Sequence, residues 1–228
     1  MYKKTLIIIL TLFSFYSCSY YVSKAKSTSG DNCMLTIEKV SEQEYLQVKN
    51  KYHNSITIDS SIHKVDSTIE IPIKIGGSKS FADKNKGVED EGRIEFKYIG
   101  RQNTIDISII DVGYWEDGKT IIVDNQNGET FDFWSEPKIS PDNKRLATFL
   151  EYGLEGNPVG IQIWQVKPNE YYKLDKLIEI NQTQWNPKEI CWDGNNNLFV
   201  QATSFPIFEK AKGDTISTFY LKIRIQNL

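Results

Sequence analysis

From Thr57 onward the chain alternates apolar and polar residues almost without interruption. Ile69, Ile71, Ile73 and Ile75 stand at every second position, as do Ile94, Phe96 and Tyr98, and then Ile105, Ile107 and Ile109. A period of two places such side chains on one face of an extended strand, and β-branched residues pack well on a pleated surface. Further runs of the same kind are TIIVD (120–124), ETFDF (129–133), RLATFLEY (145–152), GIQIWQV (160–166), NLFVQAT (197–203) and TFYLKIRI (218–225). Turn residues divide them, which predicts short antiparallel strands with one buried face. One helix interrupts this rule: Ser41 and Glu44 have capping-box spacing, and Tyr45, Val48 and Tyr52 recur on one helical face within 41–52. Residues 81–92, FADKNKGVEDEG, lose the alternation and read as a loop. The expectation is an all-β chain with one N-terminal helix.

Three turns repeat a theme: EDGK (116–119), SPDNKRLA (140–147) and WDGNNNLF (192–199) each place Asp before Gly or Asn ahead of a strand. Gly and Asn tolerate positive φ, and the Asp carboxylate can accept a nearby backbone N–H. SPDNKRLATFLEY followed by GIQIWQV resembles the Pro-Asp type of β-propeller blade found in TolB-like proteins, whose pattern runs Trp/Phe-Ser-Pro-Asp-Gly-Lys-x-Leu-Ala and continues into an Ile-Trp strand. ICWDGNNNLFVQA followed by TFYLKIRI matches more loosely, with Trp192 where Pro would stand, and KTIIVDNQNGETFDF looks like the outer hairpin of the preceding blade. The resemblance covers residues 118–226 and implies a small propeller-like array of about three to four blades, at the lower limit for closed rings. A β-sandwich is the competing architecture.

The N-terminus carries an address. Lys3 and Lys4 precede an apolar run over residues 5–16, and Ser17 precedes Cys18. This is the order of an export signal, and the run is shorter than the roughly 20 residues that a membrane-spanning helix needs. Phe15-Tyr16-Ser17-Cys18 resembles a relaxed bacterial lipobox, which implies a signal peptide over 1–17, lipid attachment at Cys18 and a place in the cell envelope, on the periplasmic face of the outer membrane. Stable anchoring takes more than one acyl chain, a condition that a triacylated cysteine meets. Residues 18–32 are rich in Ser, Lys, Tyr and Gly and read as a flexible tether, leaving 33–228 as a single β-rich domain.

Composition narrows the partners. The chain has 27 basic and 30 acidic residues interspersed along it, with a net charge of −3. A phosphate-tracking surface needs clustered positive charge, so nucleic acid is not an expected partner. Export permits a disulfide, and Cys33 and Cys191 are candidates for one; a buried free thiol in the apolar run around Cys191 is the alternative.

No chemical motif accompanies this scaffold. The sequence has no H-E-x-x-H, no P-loop and no G-x-S-x-G, and its two histidines, His53 and His63, read as surface residues. Asp83, Asn85, Gly87, Glu89 and Glu91 alternate without the spacing of an EF-hand. The expected set of metals and cofactors is therefore empty, and binding is favoured over turnover. Trp115, Trp185 and Trp192 are the candidate binding aromatics. The leading expectation is a lipid-anchored, non-enzymatic protein-binding module; the alternatives are a periplasmic glycan-binding or glycan-processing accessory protein and an inhibitor or immunity-type protein.

Overall fold

The computed structural model describes residues 21–26, 32–87, 91–151, 159–167, 173–181, 185–204 and 217–227. Its strands are β1 (Tyr21–Lys26), β2 (Asn32–Val40), β3 (Lys64–Val65), β4 (Thr68–Ile73), β5 (Gly77–Ala82), β6 (Glu95–Gln102), β7 (Ile107–Gly113), β8 (Gly118–Asp124) and β9 (Thr130–Phe133). They continue as β10 (Lys138–Ile139), β11 (Arg145–Leu150), β12 (Gly160–Val166), β13 (Leu174–Asn181), β14 (Trp185–Trp192), β15 (Leu198–Ser204) and β16 (Thr218–Asn227), with one helix, α1 (Glu42–Lys49), after β2.

These strands form four antiparallel sheets: β3-β4-β5, β6-β7-β8-β9, β10-β11-β12-β13, and β1-β2-β16-β15-β14. Three are meanders of consecutive strands, as short turns dictate. The fourth joins the chain ends, because β2 pairs along β16 from Val40↔Tyr220 to Cys33↔Asn227. This is an all-β, propeller-like array. Hydrophobic clusters unite the sheets in order. Ile69, Ile71 and Phe81 of the first sheet meet Ile110 and Val123 of the second. On its other face Ile107, Ile109 and Phe133 meet Ile139 and Leu146 of the third, whose Ala147, Ile161 and Ile163 meet Trp192, Leu198 and Val200 of the fourth. Among the described residues no cluster joins the fourth sheet back to the first. The middle sheets are covered on both faces, so Ile107, Ser108, Ile109 and Ile110 are all buried and the alternation fades in β7.

The helix closes the fourth sheet's outer face. Its cap forms as the sequence predicts, with Ser41 Oγ accepting from Glu44 N–H at 3.1 Å. Tyr45 is buried, stacks on Tyr220 with ring centroids 4.8 Å apart, and donates from its hydroxyl to Glu189 at 3.0 Å.

Two expectations are corrected. Tyr21–Lys26, assigned to a tether by composition, pairs with β2 from Tyr21↔Ile37 to Lys26↔Asn32, because an open sheet edge offers main-chain partners that need no hydrophobic period. The loop over 81–92 begins later than its composition suggests: Phe81 and Ala82 belong to β5, and Phe81 is buried. Residues 88–90 lie outside the described residues.

The turns also differ from the repeat read in sequence. The β6–β7, β10–β11 and β14–β15 hairpins each hold a non-glycine residue at positive φ, namely Asp106 (+54°), Asn143 (+58°) and Asn196 (+60°). Asp and Asn accept this conformation more readily than other side chains. Asp117-Gly118 instead lies in the second hairpin of its sheet, between β7 and β8. Hydrogen bonds tie these neighbouring turns together, from Gln102 to Asn143 at 2.9 Å and from Asn196 to Asp142 at 3.0 Å. Lys173 and Asp124 form a buried ion pair at 2.5 Å beneath them, and Lys74 reaches Asp106 at 2.7 Å. These contacts link all four sheets through one polar hub.

Candidate functional site

The inner strands are held by the segment that follows the helix. Asn54 donates to Pro137 O at 2.9 Å and accepts from Ile139 N–H at 3.1 Å, while Tyr52 donates to Ile139 O at 3.0 Å. Thr57 then exchanges main-chain hydrogen bonds with Arg101 at 2.9 and 2.8 Å. The strap therefore runs from β10 of the third sheet to β6 of the second. Gly100 lets it lie close: at φ +154° a Cβ there would stand 2.7 Å from both Thr57 O and Ile56 Cγ2.

Beyond the strap, between the first and second sheets, lies a pocket of about 570 Å³. Its floor is Ile62, Ile69 and Phe96, and its rim carries His63, Lys64, Glu95, Lys97, Tyr98 and Asp111. Ile58, at the mouth, is 79% exposed. Ile58 thus adds exposed apolar area beside the pocket's apolar floor. Phe96 is fixed from behind by Phe81, with ring centroids 5.4 Å apart.

The charges around this pocket differ in kind. Asp83, just behind the rim, is buried, which works against its ionisation; hydrogen bonds from Lys64 Nζ at 2.7 and 2.8 Å and from Phe96 N–H at 2.8 Å outweigh that and hold its carboxyl below the usual range. Asp111 goes the other way. Burial pushes its carboxyl above the usual range, Thr120 Oγ1 donating at 2.8 Å opposes this, and the charge of Glu136 adds to it. Tyr98 is raised too, by burial and by the neighbouring Asp59 charge. Asp111 is therefore a carboxylate that a cation entering the pocket would stabilise.

The candidate aromatics separate clearly. Trp185 and Trp192 are core residues, 8% and 1% exposed, and Trp192 Nε1 donates to Lys138 O at 2.7 Å. They tie the fourth sheet to the third, and Trp192 also lines the pocket beside α1. Trp115 is 45% exposed. It stands on the turn after Gly113, a pocket-lining residue, and with Tyr114, Glu91, Glu116 and Asp117 it lines a shallow depression of about 330 Å³.

The remaining sequence candidates are also placed. Cys18 lies outside the described residues. Cys191 is a free, buried thiol, so the pairing with Cys33 is not formed. Register gives the reason: Cys191 is abreast of Phe199, Lys222 and Glu38 in successive strands, and Cys33 lies further along β2. The two Cα atoms are thus roughly 20 Å apart, against a limit near 7 Å. Burial, with the charge of Glu189, pushes the Cys191 thiol up to about 12. His63 lines the first pocket, and His53 lines a second of about 560 Å³ between α1 and the turns at Pro141 and Asp193. Polar groups of that second pocket are committed internally: Asp193 accepts from Asn195 and Asn197, and Lys222 stands 3.6 Å from Glu44 and over the Phe199 ring. No group of three or more metal-ligating side chains and no helix long and apolar enough to cross a membrane occurs among the described residues.

Sequence reasoning missed Asn54, Ile58, Tyr98 and Asp111. Each lies in a segment whose role depends on which strand it meets, and no motif marks it. Comparison with protein-family models, with curated proteins and with solved structures finds no match.

Proposed function

We propose that this chain is a lipid-anchored binding module of a bacterial cell envelope, held at the membrane through Cys18, whose sheet array presents the pocket between its first and second sheets to a protein partner. The observation that carries the reading is the pocket itself: an apolar floor of Ile62, Ile69 and Phe96 open beside the exposed Ile58, with Trp115 on the adjoining turn. A rigid scaffold that displays a few apolar anchors within a polar rim is the usual anatomy of a protein-binding surface. The resemblance of its turns to Pro-Asp propeller blades and of residues 15–18 to a lipobox supports the envelope setting.

Trp115 favours a second reading. An exposed indole beside Glu91, Glu116 and Asp117 is also what a glycan-binding subsite requires. Crosslinking in intact membranes followed by mass spectrometry separates the two. Capture of a protein supports the first reading. Absence of any captured protein, together with a rise in Tm on adding a soluble envelope glycan, supports the second and refutes the first.

A further inference from the structure

The pocket has a feature that neither a flat apolar contact nor a sugar subsite uses: an open stretch of strand edge. Ile94 exchanges two main-chain hydrogen bonds with Lys84, at 2.8 and 3.0 Å, and Phe96 N–H donates to Asp83 Oδ1 at 2.8 Å. At this parity the backbone of β6 points away from β7, because residues along a strand alternate which neighbour their N–H and C=O address. Tyr98 shares the parity. The register then shifts between Tyr98 and Gly100, and Arg101 is paired with Thr57. The Phe96 carbonyl and both main-chain groups of Tyr98 are thereby directed at the pocket, between two closed ends, and no described residue bonds them.

The two sides of this edge have different chemistry. Phe96 and Tyr98 project toward Ile62 and Ile69 of the first sheet's cluster. Glu95 and Lys97 project to the opposite face, where Lys97 is abreast of Asp111 and Glu95 of Gly113. On that face Arg93 Nε donates to Glu95 Oε1 at 3.1 Å, which leaves Asp111 beside the exposed Lys97, with the Glu136 charge acting on Asp111 from beyond.

We infer that the partner docks as an extended segment of alternating apolar and basic residues, adding a short strand to the β6 edge at Phe96–Tyr98, with apolar side chains over Ile62, Ile69 and Phe96 and a basic one beside Asp111. The inference rests on the protein-binding reading above and names its chemistry. Main-chain hydrogen bonds of the added strand supply affinity, and alternate side chains supply specificity. The open stretch between the pairings at Ile94 and Arg101 accommodates about four to five residues of an extended chain.

The test uses the whole folded domain and synthetic peptides. Acetylated, amidated Lys-Val-Lys-Val-Lys is titrated by calorimetry, followed by versions N-methylated on the valines only or on the lysines only. Strand addition predicts that one N-methylated set binds at least ~10-fold more weakly while the other binds nearly as the parent, because only alternate amides face β6. Glu-Val-Glu-Val-Glu should bind at least ~10-fold more weakly than the lysine peptide, and Asp111→Asn should narrow that gap. Hydrogen exchange at the Tyr98 amide should slow when the lysine peptide is bound. Equal binding by both N-methylated sets, unchanged exchange at Tyr98, or no binding of the lysine peptide at millimolar concentration overturns the inference. Any of these leaves protein capture in membranes standing as a separate result, so the two readings fail independently.

Discussion

Replacing Asn54 with Ala should destabilise the domain far more than a polar residue in a linking segment usually does. Its side-chain amide holds two main-chain groups of the third sheet: Ile139 N–H at 3.1 Å and Pro137 O at 2.9 Å, both on buried residues. Leaving a buried donor or acceptor unpaired costs about 1–3 kcal/mol each. Water entering the vacated space relieves part of that, so the expected loss is about 2–4 kcal/mol, out of a total of roughly 5–15 kcal/mol for a domain of ordinary stability. Asn54→Asp tests the mechanism further, since it keeps the acceptor for Ile139 but sets an oxygen against Pro137 O and Glu136 Oε1, which the native amide reaches at 2.9 and 3.3 Å. Urea denaturation followed by tryptophan fluorescence gives the stabilities, and hydrogen exchange at the Ile139 amide gives the local effect. A loss below ~0.5 kcal/mol for Asn54→Ala, with Ile139 still protected, would refute the idea that the strap holds the inner strands.

Other outcomes follow from the same contacts. Trp192→Phe removes the hydrogen bond to Lys138 O and leaves space in a closed core, so it should lower stability by about 1–3 kcal/mol, whereas Trp115→Ala should stay within ~0.5 kcal/mol; thermal melts compare them. Asp111 has its carboxyl raised in the fold by burial, so its ionised form opposes folding at neutral pH. Asp111→Asn should therefore raise the urea midpoint at pH 7, and the advantage should shrink as pH falls through the raised value and vanish below the unfolded carboxylate value near ~3.9. Cys191, buried and shifted to about 12, should resist iodoacetamide at pH 8 until the protein is unfolded in urea, as read from its tryptic peptide. Cys18→Ala should move the domain from the membrane fraction to the soluble fraction without changing its Tm.

Much of the scaffold was legible in local chemistry. Alternating isoleucines gave β4, the Asn127-Gly128 turn gave the β8–β9 hairpin, and Ser41 with Glu44 gave the start of α1. Pairing across long separations was not legible: nothing in Thr36 or Arg224 alone says that β2 lies beside β16, since register there follows from which edge remains open after the other sheets form. For the same reason a tether composition hid β1, and Asp117-Gly118 looked equivalent to turns that occupy a different place in their sheets. The site was less legible than the scaffold. Tryptophan type could not separate Trp115 from Trp192, because the difference is whether the indole N–H finds a carbonyl inside the core. The open edge of β6 is a property of what does not cover it, and no residue in the sequence encodes that by itself.

The central claim, that the pocket between the first two sheets receives a protein, is tested most directly by a photo-crosslinking amino acid placed at Ile58 on its rim, compared with one at the equally exposed Ile75. In native membranes the account predicts one dominant protein adduct from position 58, absent from position 75 and competed away by the lysine–valine peptide. Equal labelling from the two positions, or no protein adduct from position 58, would contradict it.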